Sequence, residues 1–467
     1  MVFSGIPFLF YFYPAVLILY FLSPRKIKNY VLLVSSLFFY AWGEPKYVFL
    51  MTASILLAYI FALLIEKHRS RRISKLWLTL SLLSGFGFLA YFKYADFFIE
   101  NINMFTNLNL PMLKIALPVG ISFYTFQVQS YVVDVYRADT HAQKNPFTLA
   151  TYVALFPQLI AGPIVRYVDV EKDLVCRKAN FGDIHIGIAR FLIGLAKKVI
   201  LANNLGKLCD VFMSSDEKSL LFYWLYAISF SLQIYFDFSG YSDMAIGMGK
   251  IFGFNFLENF NYPYISKSVT EFWRRWHMSL GSWFRDYVYI PLGGNRVSPL
   301  RWILNILVVW MLTGLWHGAA WNFVVWGLLF AILLIVEKFW LGSLLKKLPS
   351  FFSQTYVLLV VVLSMTLFNA RSNAQAFKDI SSLLGFASLP LVTAESLYYL
   401  RSYCVLLIIA ALGCTPLPRY LANQIKGTAL GAHFFTFAEP VILSFYLLLS
   451  TAYLVDGSFN PFLYFRF

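Results

Sequence analysis

The sequence predicts an all-α, polytopic membrane protein. Of its 467 residues 59% are hydrophobic, 19% aromatic and only 13% charged, about half the charged fraction of an ordinary soluble domain. The apolar residues come in long runs, not in the alternation of an outer-membrane barrel. The 38 Lys and Arg outnumber the 23 Asp and Glu and gather in short segments between those runs, as cytoplasmic loops require. Low charge and the lack of repeats exclude disordered, coiled-coil and collagen-like chains. Because the loops account for the net charge of +15, no nucleic-acid partner is expected.

The first apolar stretch, MVFSGIPFLFYFYPAVLILYFL, has no basic residue ahead of it. It lacks the positive n-region of a cleavable signal and reads as a retained span. Arg25, Lys26 and Lys28 follow it. Tyr47 to Ile65 is uncharged for 19 residues, enough to cross a hydrocarbon core about 30 Å thick. EKHRSRRISK then leads into the uncharged run from Leu76 to Phe92. With the loops at 25–28 and 66–75 in the cytoplasm, the N-terminus and the 43–46 turn are outside. Lys346 and Lys347 mark a third cytoplasmic loop, and Arg419 and Lys426, in the 419–426 segment, a fourth. The 371–396 region and the terminal NPFLYFRF then fall outside.

Between residues 93 and 300 the apolar stretches shorten, and Pro118, Pro157, Gly162 and Pro163 interrupt them. Irregular backbone at membrane depth persists only against protein or a water-filled cavity. Re-entrant segments around an internal tunnel are therefore expected here. The lack of an internal repeat argues against an inverted-repeat transporter. The division expected is one membrane-embedded domain over 1–467, with N-terminal spans at 1–92, a catalytic core at 93–340 and C-terminal spans at 341–467. Cys176, Cys209, Cys404 and Cys414 form no CxxC pair or disulfide framework and read as free thiols. Acylation of Cys176, in its polar segment, is the less favoured alternative.

Trp302 to Val336 runs 35 residues without Asp, Glu, Lys or Arg, and its one titratable side chain is His317. A single helix of that length would rise about 52 Å, so it must break, and Gly314 and Gly318 bracket the place. The rise from Trp302 to Trp316 is only about 22 Å, which puts His317 within the membrane. An ionisable residue there is a functional candidate, against the alternative of a core histidine bonded to a neighbouring helix. In Thr270 to Tyr289, apolar residues recur at helical spacing. His277 shares the inward face with Trp273, Leu280, Phe284 and Val288. A basic amphipathic helix on the membrane surface explains the arginines and tryptophans, but not that histidine.

Gly293, Gly294 and Arg296 in PLGGNR fit either a phosphate contact or, more simply, a tight turn. Asp237 and Asp243, in FDFSGYSDMAIGMGKIFGF, are expected to pair with Lys250 or other basic residues. No HExxH, Gly-x-Ser-x-Gly or Walker sequence occurs, and the six histidines lack metal-ligand spacing. No metal site is expected. What remains is an intramembrane histidine, a second inward histidine and a basic cytoplasmic surface, a set suited to proton transfer between a cytosolic donor and an acceptor outside.

These segments resemble the membrane-bound O-acyltransferase (MBOAT) family, in its bacterial polysaccharide branch. The resemblance covers nearly the whole chain. It rests on MVFSGIPFLF, LPVGISFYTFQVQSYVVDVYR, ALFPQLIAGPIVRY, QIYFDFSGYSDMAIGMGKIFGF, FWRRWHMSLGSWFRDYVYIPLGGNR, LTGLWHGAAWNFVVWG and the terminal NPFLYFRF. It implies a helical core pierced by a tunnel, with the family's catalytic histidine at His317 and its more variable upstream partner at His277. It also implies acyl transfer from a thioester, with acetyl-CoA or a derivative of it as donor and no permanently bound cofactor. Family members of this branch act with extracytoplasmic partners, here an SGNH-type acetyltransferase, in polysaccharide O-acetylation at the cell membrane. Histidine suits the base such a reaction needs. His277 would orient the donor, stabilise the oxyanion or shape the tunnel. Arg274, Arg275, Arg285 and Arg296 would attract the anionic donor, or simply anchor the protein at the cytoplasmic face. D-alanyl transfer to teichoic acid, a non-catalytic transporter or exporter, and phospholipid acyl transfer are the rival readings.

Overall fold

A computed structural model describes residues 1–106, 108–159, 162–457 and 463. These residues form helices and connecting turns, with no strand among them. Helices are what a lipid-facing chain must form, because each backbone donor finds its acceptor within the same segment. Seven are long and apolar enough to cross a membrane: Tyr47–Lys67, Ile73–Thr106, Pro299–His317, Trp321–Leu345, Ser350–Asn369, Ala394–Gly413 and Ala429–Asp456. The protein is thus a multi-pass, all-helical membrane protein. Phe8–Leu22, in the first apolar stretch, is apolar but shorter. The NPFLYFRF terminus, Leu463 apart, and Ile160 and Ala161 of ALFPQLIAGPIVRY lie outside the described residues.

The chain gathers into two compact units, one from Met1–Phe191 and Ser242–Leu257, the other from Leu192–Tyr241 and Glu258–Leu463. In the first unit, helix Ile121–Arg137 is buried on nearly every side, although it carries Gln127, Gln129, Ser130 and Asp134. Surrounding protein, not lipid, accommodates those side chains. Pro157 sits in the short buried helix Phe156–Leu159, between Pro146–Ala154 and Tyr167–Cys176. Of the interruptions read from sequence, Pro157 lies in a short protein-covered helix, whereas Pro118, Gly162 and Pro163 lie in buried non-helical backbone. Arg177 fastens three segments, donating to Tyr20 Oη (3.0 Å), the Phe252 carbonyl (3.1 Å) and Asn29 Oδ1 (2.6 Å).

In the second unit, Pro299–His317 and Trp321–Leu345 form a close antiparallel hairpin. A Cβ on Gly314 would stand 2.3 Å from the Phe323 carbonyl oxygen, and one on Gly327 2.2 Å from that of Trp310. Small residues let the two backbones touch. The break falls after His317, as the length of the run requires, but not because glycine conformation demands it. Gly318 is extended (φ −169°), while a Cβ there would meet the Phe323 ring at 2.2 Å. The aspartates find partners other than Lys250. Asp237 pairs with Lys198, both almost wholly buried. Asp243 pairs with Arg190 at 2.9 Å, and Lys250 with Asp183 at 2.9 Å.

Candidate active site

Two short helices, Val269–Arg275 and Met278–Phe284, flank His277; Arg274 and Arg275 lie in the first, and Arg285 follows the second. Ser268 caps the first, its Oγ accepting from Glu271 N at 3.0 Å. The buried Glu337 carboxylate accepts from Val269 N (2.6 Å) and Thr270 N (2.9 Å). A carboxylate at the positive end of a helix is favourably placed, and it ties this helix to the Trp321–Leu345 span.

The sequence reads as one amphipathic helix over Thr270 to Tyr289; the structure breaks it at Trp276 and His277. Trp276 is extended and His277 adopts the left-handed conformation (φ 46°). Such a conformation costs about 1–2 kcal/mol for a side chain with a Cβ. Tertiary contacts offset it, because Asn259 holds the break. The Asn259 carbonyl accepts from Met278 N (2.9 Å), and its Oδ1 lies 3.3 Å from Ser279 N, 2.9 Å from Ser279 Oγ and 3.1 Å from His277 Nδ1. His277 therefore sits in a polar turn, not in a continuous helical stripe. Burial holds its imidazole neutral, pushing the pKa down to about 3.

His317 ends its helix and is 4% exposed. Its ring meets Trp316 at 5.0 Å, Trp326 at 5.1 Å and Phe368 at 5.2 Å, all edge to face. Trp316 also packs on His277, at 5.6 Å, with Phe238 on it at 4.7 Å. The two histidines named from sequence thus share an aromatic neighbour.

Both imidazoles line one cavity of about 1860 Å³. Along helix Pro299–His317 its wall is Trp302, Ile306, Val309, Trp310, Thr313 and His317, spaced as a single helical face. From Trp302 to His317 that face runs about 22 Å. The cations on the wall are Lys267, Arg274, Arg285, Lys338, Lys346 and Lys347, against Glu271 and Glu337. Lys338 Nζ stands over the Trp302 ring at 3.6 Å, which places this cation at the end of the stripe away from His317.

The four arginines named from sequence separate. Arg274 and Arg285 line the cavity, and Arg285 also meets Asp286 at 2.7 Å. Arg275 binds Glu271 (2.9 Å) and the Asn261 carbonyl (3.1 Å). Arg296 belongs to the PLGGNR turn, its amide donating to the Gly293 carbonyl at 3.0 Å. Neither Arg275 nor Arg296 is among the lining residues. Lys338 lies outside the motifs that mark the site in the sequence, although a hairpin broken near residue 319 brings it opposite Trp302. Lys346 and Lys347, which the sequence marks only as loop residues, also line the cavity. Asn259 carries no sequence signal. Among the described residues no group of three or more His, Cys, Asp or Glu is placed to hold a metal ion.

Residues 8–372 match the model of the MBOAT, membrane-bound O-acyltransferase family. The chain is 40% identical to a probable alginate O-acetylase AlgI of Azotobacter vinelandii, over 83% of this chain and 78% of that one. It is 36% identical to the probable alginate O-acetylase AlgI of Pseudomonas putida, over the whole of both. It is also 36% identical to the peptidoglycan O-acetyltransferase of Helicobacter pylori, over 81% of this chain and 79% of that one.

Proposed function

The chain belongs to the membrane-bound O-acyltransferase family and is an acyltransferase, and on that premise we propose that it moves acetyl from acetyl-CoA towards O-acetylation of an extracytoplasmic polysaccharide, in the bacterial inner membrane. The observation that carries this reading is the shared cavity: an aromatic and aliphatic stripe with Lys338 at one end and His317 at the other, and five further cations in the wall. The anionic head of the donor rests among Lys338, Lys346, Lys347, Arg274 and Arg285, and its arm lies along the stripe, bringing the thioester to His317. The relatives named for alginate and peptidoglycan O-acetylation support acetyl as the group and a polysaccharide as the destination.

The hydroxyl oxygen attacks the thioester carbonyl while His317 takes its proton. The C–O bond forms, the C–S bond breaks, and the proton passes to the leaving thiolate, giving free thiol and the acetyl ester. The rings of Trp316, Trp326 and Phe368 pack around His317 and hold its imidazole in place. An extracytoplasmic SGNH-type acetyltransferase would complete delivery to the polymer.

The test is polymer acetylation, by mass spectrometry, in cells carrying wild type or His317→Ala at equal membrane content. The expected result is unchanged polymer yield with acetylation reduced about 100-fold or more. Acetylation undiminished in the variant, or lost only together with polymer export, would overturn the reading. Labelling by a D-alanyl carrier and not by acetyl-CoA would redirect it to D-alanyl transfer.

A further inference from the structure

Asn259 is 1% exposed and grips His277 from 18 residues upstream. The hydrogen-bond roles around it follow from one obligatory donor. The amide of Ser279 can only donate, and it meets Asn259 Oδ1 at 3.3 Å, so the atom there is the amide oxygen and not its nitrogen. That oxygen can only accept. Ser279 Oγ donates to it at 2.9 Å, a shorter contact than the 3.5 Å between that hydroxyl and His277 Nδ1, and His277 Nδ1, facing the acceptor oxygen at 3.1 Å, carries a hydrogen and donates as well.

A neutral imidazole has one N–H, so Nε2 of His277 is left as a lone pair. Nε2 has no hydrogen-bond partner among the described residues, although the side chain is 2% exposed and lines the cavity. A buried acceptor without a donor is costly, and a ligand group that donates to it removes that cost. The left-handed turn at His277 is held by the same asparagine.

We propose that Asn259 is a positioning residue that fixes the Nδ1–H tautomer of His277, so that Nε2 accepts a hydrogen bond from an O–H or N–H of the bound substrate. The inference deepens the acetyl-transfer reading and rests on it for what the cavity binds. It gives His277 the work of orienting a substrate donor group. A neutral ring presenting a lone pair repels a developing oxyanion, so that charge is stabilised by other groups.

The tautomer is read directly from ring-15N-labelled full-length protein in lipid nanodiscs, with His277→Gln identifying the signal. The expected spectrum has Nδ1 protonated and Nε2 bare, and the Nε2 signal moves when acetyl-CoA or the polymer acceptor is added. Asn259→Leu is expected to lower kcat for acetyl transfer roughly 10–100-fold with KM within about threefold, as for loss of a tautomer-setting partner. Asn259→Asp, which keeps an oxygen acceptor, is expected to restore kcat to within about tenfold of wild type. A protonated Nε2 in the wild-type spectrum, or wild-type kcat in Asn259→Leu, overturns the inference. Should Asn259→Leu not reach the membrane, the wild-type and Asn259→Asp spectra decide. Wild-type protein that turns over no acetyl-CoA counts against the proposed function instead, and leaves the tautomer result standing.

Discussion

Lys198 and Asp237 meet with both side chains almost out of solvent, and Asp237 also accepts from the Leu463 amide at 2.7 Å. Breaking such a pair strands a charge, which costs about 3–5 kcal/mol. Lys198→Met should therefore lower the thermal unfolding midpoint in detergent sharply. Lys198→Met with Asp237→Leu should recover most of the loss, short of the ~1–3 kcal/mol for the amide left without its acceptor. A single variant as stable as wild type would show that water reaches the pair. At this scale the sequence was informative where chemistry is local. His317 stands out as the one titratable group in 35 residues, and His277 as a histidine among tryptophans. Asn259, Glu337 and Lys198 act on residues 18, 67–68 and 39 positions away, and no periodicity reports a contact over such separations.

Helix pairs depend on how closely their backbones approach, and the hairpin carrying His317 approaches through Gly314 and Gly327. Gly327→Ala pushes a methyl against the Trp310 carbonyl, 2.2 Å away, so one helix must shift. Overpacking of this kind costs about 1–3 kcal/mol, and it displaces His317 along with the stripe. Reduced stability and reduced acetyl transfer are both expected. Gly87 is the control: it lies within the Ile73–Thr106 helix, and a Cβ there meets nothing within 4 Å. Gly87→Ala should hold or raise the unfolding midpoint, since Ala exceeds Gly in helix propensity by up to about 1 kcal/mol. Equal effects of the two variants would sink the close-approach argument. The break after His317 was legible because length alone forbids one helix. The break at His277 was not, because Trp273, Trp276, Leu280 and Phe284 keep helical spacing straight across it. A tertiary clamp overrides that local pattern.

Across the whole molecule the net charge of +15 admits two accounts that the hydropathy pattern cannot separate. Composition and run lengths suffice to read an all-helical, multi-pass protein. Its two compact units were illegible because residues 242–257 return to the first after 192–241 have joined the second. The basic residues either only anchor cytoplasmic loops or also draw an anionic donor to the cavity. Anchoring is indifferent to the donor, whereas attraction weakens as salt shortens the Debye length from about 10 Å at 0.1 M to about 3 Å at 1 M. With Lys267, Lys338, Lys346 and Lys347 on the cavity wall beside Arg274 and Arg285, KM for acetyl-CoA should rise several-fold between those salt concentrations while kcat holds. Lys346→Gln with Lys347→Gln should raise KM at low salt and flatten its salt dependence, with the side of the membrane on which the 346–349 turn lies, read by cysteine labelling, unchanged. A KM indifferent to salt in wild-type protein would leave those lysines as anchors and move the donor's entrance elsewhere.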